Sequence, residues 1–485
     1  MPEYEAVIGL EVHAELLTNS KMFCGCSTKF GAPPNTQTCP VCLGMPGVLP
    51  VINRRGVEFA IRTALALNCT IAPLSRFARK NYFYPDLPKN YQISQYELPL
   101  SEAGWVTFAS TSGTKRVGIR RVHLEEDTGK LVHAGIMEEA ESSLVDFNRC
   151  GVPLMEIVSE PDIRTPEEGA EYLRQLRAIL VYLGVCDGNM EEGSFRCDAN
   201  VSVRPAGSQA LGTKVEVKNM NSFKNVQKAL EYEIRRQIKA VQSGEVLVQE
   251  TRLWNADQEI TLSMRGKEYA HDYRYFPEPD LVPLVIEPAW IEEIRRSLPE
   301  LPEAKRQRFV RDYGIPEYDA GVLTMRQELA AYYEATVKVH EDPKAVSNWI
   351  MVELLGRLNK DGRDITQSPI APERLGAILG LLAQGTISGK MAKEFFDEMY
   401  TTGADPADIL KKKGGQIADP TEVGKIIREI SVAHPGAVAE YKGGKEGAFN
   451  FLIGQVMKAT RGKANPQLVT ELLRKALQAQ GSNQQ

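Results

Sequence analysis

Short segments in which aliphatic and charged side chains alternate recur through the first 220 residues of this chain. In residues 5–16 one parity is aliphatic and the other carries Gly9, Glu11, His13 and Glu15. Successive side chains of a strand point to opposite faces, so the segment predicts a β-strand with one buried and one acidic face. The same pattern returns at 117–126, 154–159, 195–204 and 214–218. Such strands require a sheet that is covered on one face only.

The order of these segments predicts an α+β fold. Alternation punctuated by Gly and Pro favours a mainly antiparallel sheet to which helices are added. One helix is predicted after Thr165, which can cap the helix, with Pro166 at the first position and Glu168 completing a capping box. Another begins near Ser222. We predict a sheet-containing domain over 1–292, an all-helical domain over 293–408 and a small helical tail domain over 409–485.

Charge is distributed unevenly along the chain. The net charge of its 485 residues is -5, but residues 411–485 hold twelve Lys+Arg against six Asp+Glu. A basic module on an acidic body suggests a polyanionic partner held through phosphate contacts, although a solvated helical surface explains the tail about as well. Glu3 and Glu5 replace the basic start of a secretory signal, and no apolar run has membrane-spanning length, so we expect a cytoplasmic protein.

Four of the eight cysteines are clustered near the N-terminus. The spacing is C-x-C, twelve residues, then C-P-V-C, formed by Cys24, Cys26, Cys39 and Cys42. Two close thiolate pairs satisfy tetrahedral zinc and leave no open position for a substrate, so we predict a structural zinc knuckle. The alternative is four reduced cysteines in a surface loop. We predict that the four scattered cysteines are core thiols.

The polar faces of the predicted strands combine carboxylates, one or two imidazoles, and Arg and Lys side chains. Oxygen ligands with at most one imidazole suit Mg²⁺, and the interspersed basic residues suit phosphate oxygens. The sequence contains neither a Walker A motif nor G-x-G-x-x-G, so ATP would have to be held by a sheet surface. A solvated outer face with ordinary salt bridges accounts for each strand taken singly.

Residues 79–96 interleave aromatic and basic residues with prolines. This composition indicates a rigid, extended loop that can stack or line a channel, with Lys80 and Lys89 as its functional charges. A loop that simply packs against the sheet is equally compatible with the composition.

A family resemblance rests on five sequence motifs, which lie at residues 8–16, 80–95, 123–130, 146–162 and 196–204. They read I-G-L-E-V-H-A-E-L, K-N-Y-F-Y-P-D-L-P-K-N-Y-Q-I-S-Q, H-L-E-E-D-T-G-K, D-F-N-R-C-G-V-P-L-M-E-I-V-S-E-P-D and R-C-D-A-N-V-S-V-R. In this order the chain closely resembles, from end to end, the B subunits of the aspartyl/glutamyl-tRNA(Asn/Gln) amidotransferases. The resemblance implies a cradle-shaped catalytic domain, a helical domain and a helical tail, the last two contacting tRNA.

The resemblance also implies roles for individual residues. The implied metal ligands are His13, Glu125 and Glu156, with Glu11 as a further ligand or a neighbouring carboxylate. Arg196 and Asp198 are implied to contact the nucleotide or an acyl phosphate. Lys80 and Lys89, with Glu125, would line the mouth of an ammonia path, and the implied catalytic residues are Glu11, Asp198, Lys80 and Lys89. The choice between Glu125 and Glu126 stays open, because the strand is expected to end there.

The implied reaction is ATP- and Mg²⁺-dependent amidation of Glu on tRNA(Gln), Asp on tRNA(Asn), or both. The implied partners are the amidase (A) subunit, which releases ammonia from glutamine, the small (C) subunit, and the misacylated tRNA. No Gly-Gly-Ser-Ser run of an amidase occurs here, so we expect the chain to make no ammonia itself. Two alternatives remain: an ATP-dependent amide ligase for a small carboxylate, and a noncatalytic tRNA-binding scaffold.

Overall fold

The computed structural model describes residues 3–110, 113–133, 143–266, 273–417, 419–460 and 462–479. Its strands are β1 (Tyr4–Glu15), β2 (Thr70–Ile71), β3 (Leu74–Ser75), β4 (Ala78–Asn81), β5 (Tyr91–Ser94), β6 (Ser101–Ser110), β7 (Gly113–Glu126), β8 (Lys130–His133), β9 (Ser143–Asp146), β10 (Pro153–Ser159), β11 (Phe195–Pro205), β12 (Val215–Lys218), β13 (Glu250–Asn255), β14 (Ile260–Gly266), β15 (Phe276–Pro277) and β16 (Leu284–Val285). The chain divides into two compact units, 1–303 and 304–485.

The helices of the first unit are few, and those of the second follow one another closely. They are α1 (Arg54–Ala66), α2 (Pro166–Tyr182), α3 (Phe223–Gln242), α4 (Pro288–Ser297), α5 (Pro302–Tyr313), α6 (Glu317–Leu323), α7 (Gln327–Val339), α8 (Pro343–Asn348), α9 (Leu355–Lys360), α10 (Pro372–Ala383), α11 (Gly389–Thr402), α12 (Pro406–Lys413), α13 (Pro420–Ala433), α14 (Pro435–Lys442), α15 (Glu446–Ala459) and α16 (Pro466–Ala479). A π-helical segment, Trp349–Leu354, and a 3₁₀ turn, Ile365–Gln367, complete them. None of these helices has the length and apolarity needed to cross a bilayer.

A large mixed sheet organises the first unit. Its strand order is β14-β13-β12-β11-β1-β10-β7-β5-β4-β15, with β6 pairing β7 and β2. All of its pairs are antiparallel except β12 with β13. The predicted α+β fold with a mainly antiparallel sheet is confirmed.

The alternation in the sequence is reproduced in the burial of the strands. In β1 the side chains of Ile8, Leu10, Val12 and Ala14 are buried, whereas the intervening residues are partly exposed. The buried row belongs to one core with apolar residues of α1, α2 and α3. These helices therefore cover one face of the sheet, and the polar parity of each strand lies on the other face.

The predicted helix starts are present, with one change at the first. Thr165 accepts a hydrogen bond from the Glu168 N–H at 3.2 Å, and Ser222 accepts one from the Asn225 N–H at 3.1 Å. The Glu168 carboxylate accepts its bond from the Arg164 N–H, at 2.8 Å, so the reciprocal half of the capping box lies one residue earlier than predicted. Both bonds still satisfy N–H groups at the helix start.

The predicted extended loop over 79–96 is wrong at both of its ends. Residues of β4 pair with β5 there, with Lys80 opposite Gln92. The two prolines of this stretch, Pro85 and Pro88, lie between the strands, where no N–H has to be donated to a neighbour. Lys80 therefore lies on β4, and Lys89 lies in the connection between β4 and β5.

The second unit has two separate hydrophobic cores. One gathers residues from Phe309 to Ile409 and the other gathers residues from Val423 to Leu477. The α4 helix, in contrast, contributes Ile294 to the core of the first unit. The boundaries at 292 and 408 stay predictions.

Candidate active site

The polar faces of four adjacent strands, β11, β1, β10 and β7, come into cross-strand register. On β1, His13 lies opposite Glu156 of β10 and Arg196 of β11. Glu11 lies opposite Asp198, and Glu156 lies opposite His123 of β7. Directly opposed residues on neighbouring strands are close enough for their side chains to interact. Residues far apart in the sequence therefore form one polar row.

His13 is at the centre of this row. Its Nε2 is 3.5 Å from a Glu156 oxygen, 3.9 Å from a Glu125 oxygen and 3.8 Å from a Glu11 oxygen. Two trios of potential ligand atoms, Glu11–His13–Asp198 and His13–Glu125–Glu156, each lie within 4.8 Å of one another. His13 belongs to both trios, so the predicted set converges on one place.

The electrostatics of the cluster favour an added positive charge. Burial alone would lower the pKa of His13, but Glu156, Glu125 and Glu11 together raise it to about 9. Burial likewise opposes ionisation of Glu156, yet His123 and His13 hold the pKa of that carboxyl far below its usual range. Burial and the neighbouring Glu156 raise the pKa of Glu11. Without a bound cation the acids thus favour the protonated imidazole, and a cation bound at His13 would take the place of that proton.

This donor set fits a hard divalent cation. It offers several carboxylate oxygens and one imidazole nitrogen, in a polar cluster that already concentrates negative charge. An ion such as Mg²⁺ usually keeps part of its water shell and takes a few carboxylates, which suits a site that is open on the solvent side of a sheet. The partial exposure of Glu11 and His13 leaves that side accessible.

The two acids at the end of β7 face different surroundings. Glu125 accepts a hydrogen bond from the Ser94 hydroxyl at 3.1 Å and lies beside His13. Glu126 forms a buried ion pair with Lys89 and accepts the Ile93 N–H at 3.0 Å. Of the two carboxylates, the structure brings Glu125 into the cluster with His13.

Two predicted nucleotide contacts already have partners within the protein. The Lys218 ammonium donates to Asp198 at 2.6 Å. Arg196 donates to Asp127 at 2.9 Å and to Glu15 at 3.3 Å. Both residues border the cluster, Asp198 beside Glu11 and Arg196 opposite His13, and both are parts of ion-pair networks.

Lys80 faces the acid cluster, whereas Lys89 faces Glu126. Burial would lower the pKa of Lys80, but Glu125 and Glu156 raise it on balance. Its ammonium lies 5.0 Å from the ring centre of Tyr273 and 5.9 Å from that of Tyr82, within cation–π range. The two lysines therefore belong to different surroundings at the same edge of the sheet.

Sequence reasoning assigned no role to several residues around the site. They are His123, whose Nε2 is 3.5 Å from Glu156, together with Ser94, Asp127 and Tyr273. His123 could have been identified, since it shares the parity of Glu125 on β7. The other three come from strand pairing and loop positions that no pattern in the sequence specifies.

The four clustered cysteines form a second candidate metal site. Their sulfur atoms lie within 4.8 Å of one another. A hydrogen bond from Cys24, the Cys39 N–H at 3.2 Å and the nearby Lys21 ammonium lower the pKa of Cys42 to about 4. The same hydrogen bond raises the pKa of Cys24, and burial raises that of Cys26 to about 11, so without metal these contacts favour a thiolate at Cys42 alone. The convergence of the four sulfur atoms is what fits the predicted zinc knuckle.

The other four cysteines are buried, as predicted: Cys69, Cys150, Cys186 and Cys197. Burial raises the pKa of Cys150 to about 12 and holds that of Cys197 well above the usual range. Thiols in this state are poor nucleophiles. A thiol-dependent glutaminase activity therefore has no support among them.

Comparison with known proteins is consistent along nearly the whole chain. The profile of a family described as the GatB/GatE catalytic domain matches residues 6–292, and that of the GatB domain matches residues 331–477. The B subunit of the aspartyl/glutamyl-tRNA(Asn/Gln) amidotransferase of Carboxydothermus hydrogenoformans is 59% identical over 478 residues, covering 98% of this chain and 99% of that relative. The B subunits of Geotalea daltonii and Thermodesulfovibrio yellowstonii are each 58% identical, over 98% of this chain and 100% and 99% of their own lengths. This chain belongs to the family of B subunits of the aspartyl/glutamyl-tRNA(Asn/Gln) amidotransferases.

Proposed function

We propose that this chain amidates Glu carried by tRNA(Gln), Asp carried by tRNA(Asn), or both, by first phosphorylating the side-chain carboxylate with ATP. The observation that carries the proposal is the convergence of two acid trios on His13, on the open face of the sheet. A family relationship alone leaves the chemistry of the chain unspecified. The convergence supplies a place for an Mg-nucleotide without any phosphate loop.

Two balanced steps make up the reaction. An oxygen of the substrate carboxylate attacks the γ-phosphorus of ATP, the bond to the bridging oxygen breaks, and ADP leaves. Ammonia then attacks the acyl carbon and the bond from that carbon to the phosphate-bearing oxygen breaks. Orthophosphate leaves with this oxygen and takes up the proton that the ammonia nitrogen loses. Phosphorylation is needed because a free carboxylate has no good leaving group at its carbonyl carbon.

The proposed ligands of Mg²⁺ are His13, Glu125 and Glu156, with Glu11 as a further ligand or neighbouring carboxylate. Bound there, Mg²⁺ would offset the charge of the triphosphate and of the transferred phosphoryl group. Asp198 and Arg196 are proposed to contact nucleotide or acyl phosphate from the β11 side. Their bonds to Lys218 and Asp127 fix their side chains in place beside the cluster.

The proposed catalytic roles of Lys80 and Lys89 concern ammonia. Lys80 lies near Glu125, and Lys89 forms its ion pair with Glu126, so charges alternate along this edge of the sheet. Alternating acids and bases can take a proton from ammonium and deliver neutral ammonia. The proposed supplier is the amidase (A) subunit, joined to this chain by the small (C) subunit, in the cytoplasm.

The remaining parts have proposed supporting roles. The knuckle of Cys24, Cys26, Cys39 and Cys42 is proposed to bind a structural zinc ion and to be dispensable for the chemical step. The basic tail, 409–485, and the helical domain before it are proposed to bind tRNA through phosphates and A-form shape. Deleting residues 411–485 should then weaken tRNA binding and reduce its salt dependence.

The test is ATP hydrolysis by the reconstituted amidotransferase, with and without misacylated tRNA. We expect His13→Ala and Glu125→Gln to abolish the tRNA-stimulated rate. The matched control is Glu97→Gln, because this carboxylate is exposed and pairs only at the surface with Arg76. Turnover that survives in both cluster variants would favour the scaffold alternative.

A second measurement separates the other alternative. The chain without its amidase partner should use ammonium salts for amidation and should leave glutamine unhydrolysed. Full activity on a small free carboxylate after removal of residues 411–485 would favour the amide ligase. Steady glutamine hydrolysis by the isolated chain would contradict the proposed division of labour.

A further inference from the structure

Strand β7 contains an irregularity next to the acid cluster. Ile119 pairs with Ser159 and Arg121 pairs with Val158, so one extra residue, Arg120, is inserted in β7. The buried parity of the strand changes accordingly, with Ile119 buried before the bulge and Val122 after it. A β-bulge re-aims the side chains that follow it and is frequent beside active sites. Here the bulge places Arg121, His123 and Glu125 on the face opposite to that of the buried Ile119, although all four have odd numbers.

The guanidinium of Arg121 makes no hydrogen bond to another residue that the structure describes. Its Nε is buried without an acceptor among the described residues, and its Nη2 approaches Glu156 only to 4.0 Å. The adjacent Arg120, in contrast, donates to both oxygens of Glu160, at 3.2 and 3.0 Å. A buried donor without a partner costs free energy, and the Arg121 side chain is 25% exposed, so an incoming anion can reach the guanidinium.

Aromatic contacts hold Arg121 in this position. Its guanidinium carbon lies 5.8 Å from the ring centre of Tyr96, within cation–π range. The Tyr96 ring stacks on Tyr275 with centroids 4.1 Å apart and planes 10° apart. A stacked ring pair restricts the guanidinium while leaving its N–H groups free to donate to a ligand.

We propose that Arg121 is a catalytic residue that binds the oxygens of the phosphoryl group transferred from ATP. The inference rests on the proposed function and adds to it a residue for which no role was expected. The planar fork of a guanidinium matches two phosphoryl oxygens, and phosphoryl transfer depends on offsetting the charge of those oxygens. Glu156, a proposed cation ligand, is the carboxylate nearest to Arg121, so the cation and the guanidinium would act on the same group.

The substrate carboxylate is the other oxyanion that comes to this site. The phosphoryl group is the better match because it presents three charged oxygens during transfer, whereas the carboxylate is consumed as the nucleophile. The two can be separated by experiment, since phosphoryl mimics bind without tRNA. If Arg121 bound the substrate carboxylate instead, the Arg121 variants would keep the wild-type affinity for those mimics, and only their KM for misacylated tRNA would rise.

The test compares Arg121→Lys and Arg121→Met with Arg120→Met, measured on the full chain by calorimetry with Mg²⁺ present. We expect the affinity for ADP to be unchanged in every variant. The affinity for ADP with aluminium fluoride, a mimic of the phosphoryl group in transfer, should fall about 100-fold in both Arg121 variants. It should stay at the wild-type value in Arg120→Met. In the assembled enzyme, both Arg121 variants should show a lower kcat for ATP hydrolysis.

Each other outcome overturns the inference in a recognisable way. If both Arg121 variants bind the fluoride complex with wild-type affinity, Arg121 does not contact the phosphoryl group. If the only change is a higher KM for tRNA, Arg121 binds the substrate carboxylate. Equal losses for ADP and for the fluoride complex indicate a structural role. If the unaltered chain binds neither ADP nor the fluoride complex, the proposed function itself is wrong, and the role of Arg121 falls with it.

Discussion

The buried ion pair between Lys89 and Glu126 allows a quantitative test of the fold around the site. Both side chains are almost fully buried, with 6% and 2% of their surfaces exposed. Glu126 also accepts the Ile93 N–H at 3.0 Å. A Glu126→Gln substitution retains the shape and that backbone bond but removes the negative charge. The variant therefore isolates the effect of leaving the Lys89 ammonium uncompensated.

The size of the effect has an upper bound. A buried lysine that loses its anion can become neutral by releasing its proton. The ordinary pKa of lysine, about 10.4, lies roughly 3.4 pH units above pH 7, and each unit corresponds to about 1.36 kcal/mol, so this release costs about 4.6 kcal/mol at pH 7. Removing one partner of a buried pair typically costs about 3–5 kcal/mol. We expect Glu126→Gln to lower the free energy of unfolding of the first unit by about 3–4 kcal/mol.

The pH dependence of this loss has a definite sign. In the unaltered protein, burial would lower the pKa of Lys89, but Glu126 raises it on balance. The stabilisation from the charged Lys89 is therefore fully present below the pKa of the unfolded chain and is lost only as the pH rises through the folded pKa. In Glu126→Gln the folded pKa falls below the unfolded one, and stability then rises with pH between the two values. The difference between the variant and the unaltered protein should shrink from pH 7 to pH 10.

The assay is urea unfolding followed by tryptophan fluorescence in a Trp349→Phe background. Trp105, Trp254 and Trp290 then report on the first unit alone. The double variant Lys89→Met with Glu126→Gln should recover most of the loss, because the uncompensated charge is gone. A Glu126→Gln variant within about 1 kcal/mol of the unaltered protein at pH 7, the size of a surface pair, would refute the reasoning.

Three further predictions concern single positions and the knuckle. Gly44→Ala should destabilise the first unit more than Gly47→Ala in the same unfolding assay. Both glycines have positive φ, but a Cβ added at Gly44 would collide with Cγ of Lys89, whereas no atom of the described residues lies within 4 Å of a Cβ added at Gly47. Equal losses would exclude the steric contact. Asp319→Asn should lower the free energy of unfolding of the second unit by about 1–3 kcal/mol, because this carboxylate accepts a hydrogen bond from the Lys344 ammonium at 2.6 Å. Since the pKa of Asp319 is lowered in the folded protein, the difference in stability between the variant and the unaltered protein should vanish as the pH falls into the acid range. Unfolding measured between pH 3 and pH 7 checks this. Elemental analysis should find one zinc ion per chain. Removing the zinc with a chelator should lower the melting temperature, while the protein that stays folded should keep its ammonium-dependent turnover. Zinc-free protein of unchanged stability would contradict the predicted zinc knuckle.

Much of the site could be predicted from the sequence because strand parity is a local property. The face of β1 that carries Glu11 and His13 follows from alternation alone, and the same holds for Glu156 between its aliphatic neighbours. Parity was uncertain at Glu125 and Glu126, where the strand ends. There the choice depends on pairing with β5, which brings Ser94 to Glu125.

Other features lay beyond local patterns. Within the predicted all-helical domain, residues 343–360 form α8, a π-helical segment and α9, a change of backbone hydrogen bonding that no periodicity in the sequence indicates. The bulge at Arg120 is a property of two paired strands, so alternation in β7 could not locate it. The partnership of Lys89 with Glu126 likewise depends on a pair separated by 37 residues.

The sequence by itself determined which side chains share a strand face, where the cysteines cluster and where the capped helices begin, because each of these depends on residues a few positions apart. Tertiary structure alone decided which faces meet: the strand order β11-β1-β10-β7 is non-sequential, and only this order brings Asp198, His13, Glu156 and Glu125 into one row. Strand pairing is set by burial of the shared apolar face and by long-range hydrogen bonds. Neither is written in any single segment.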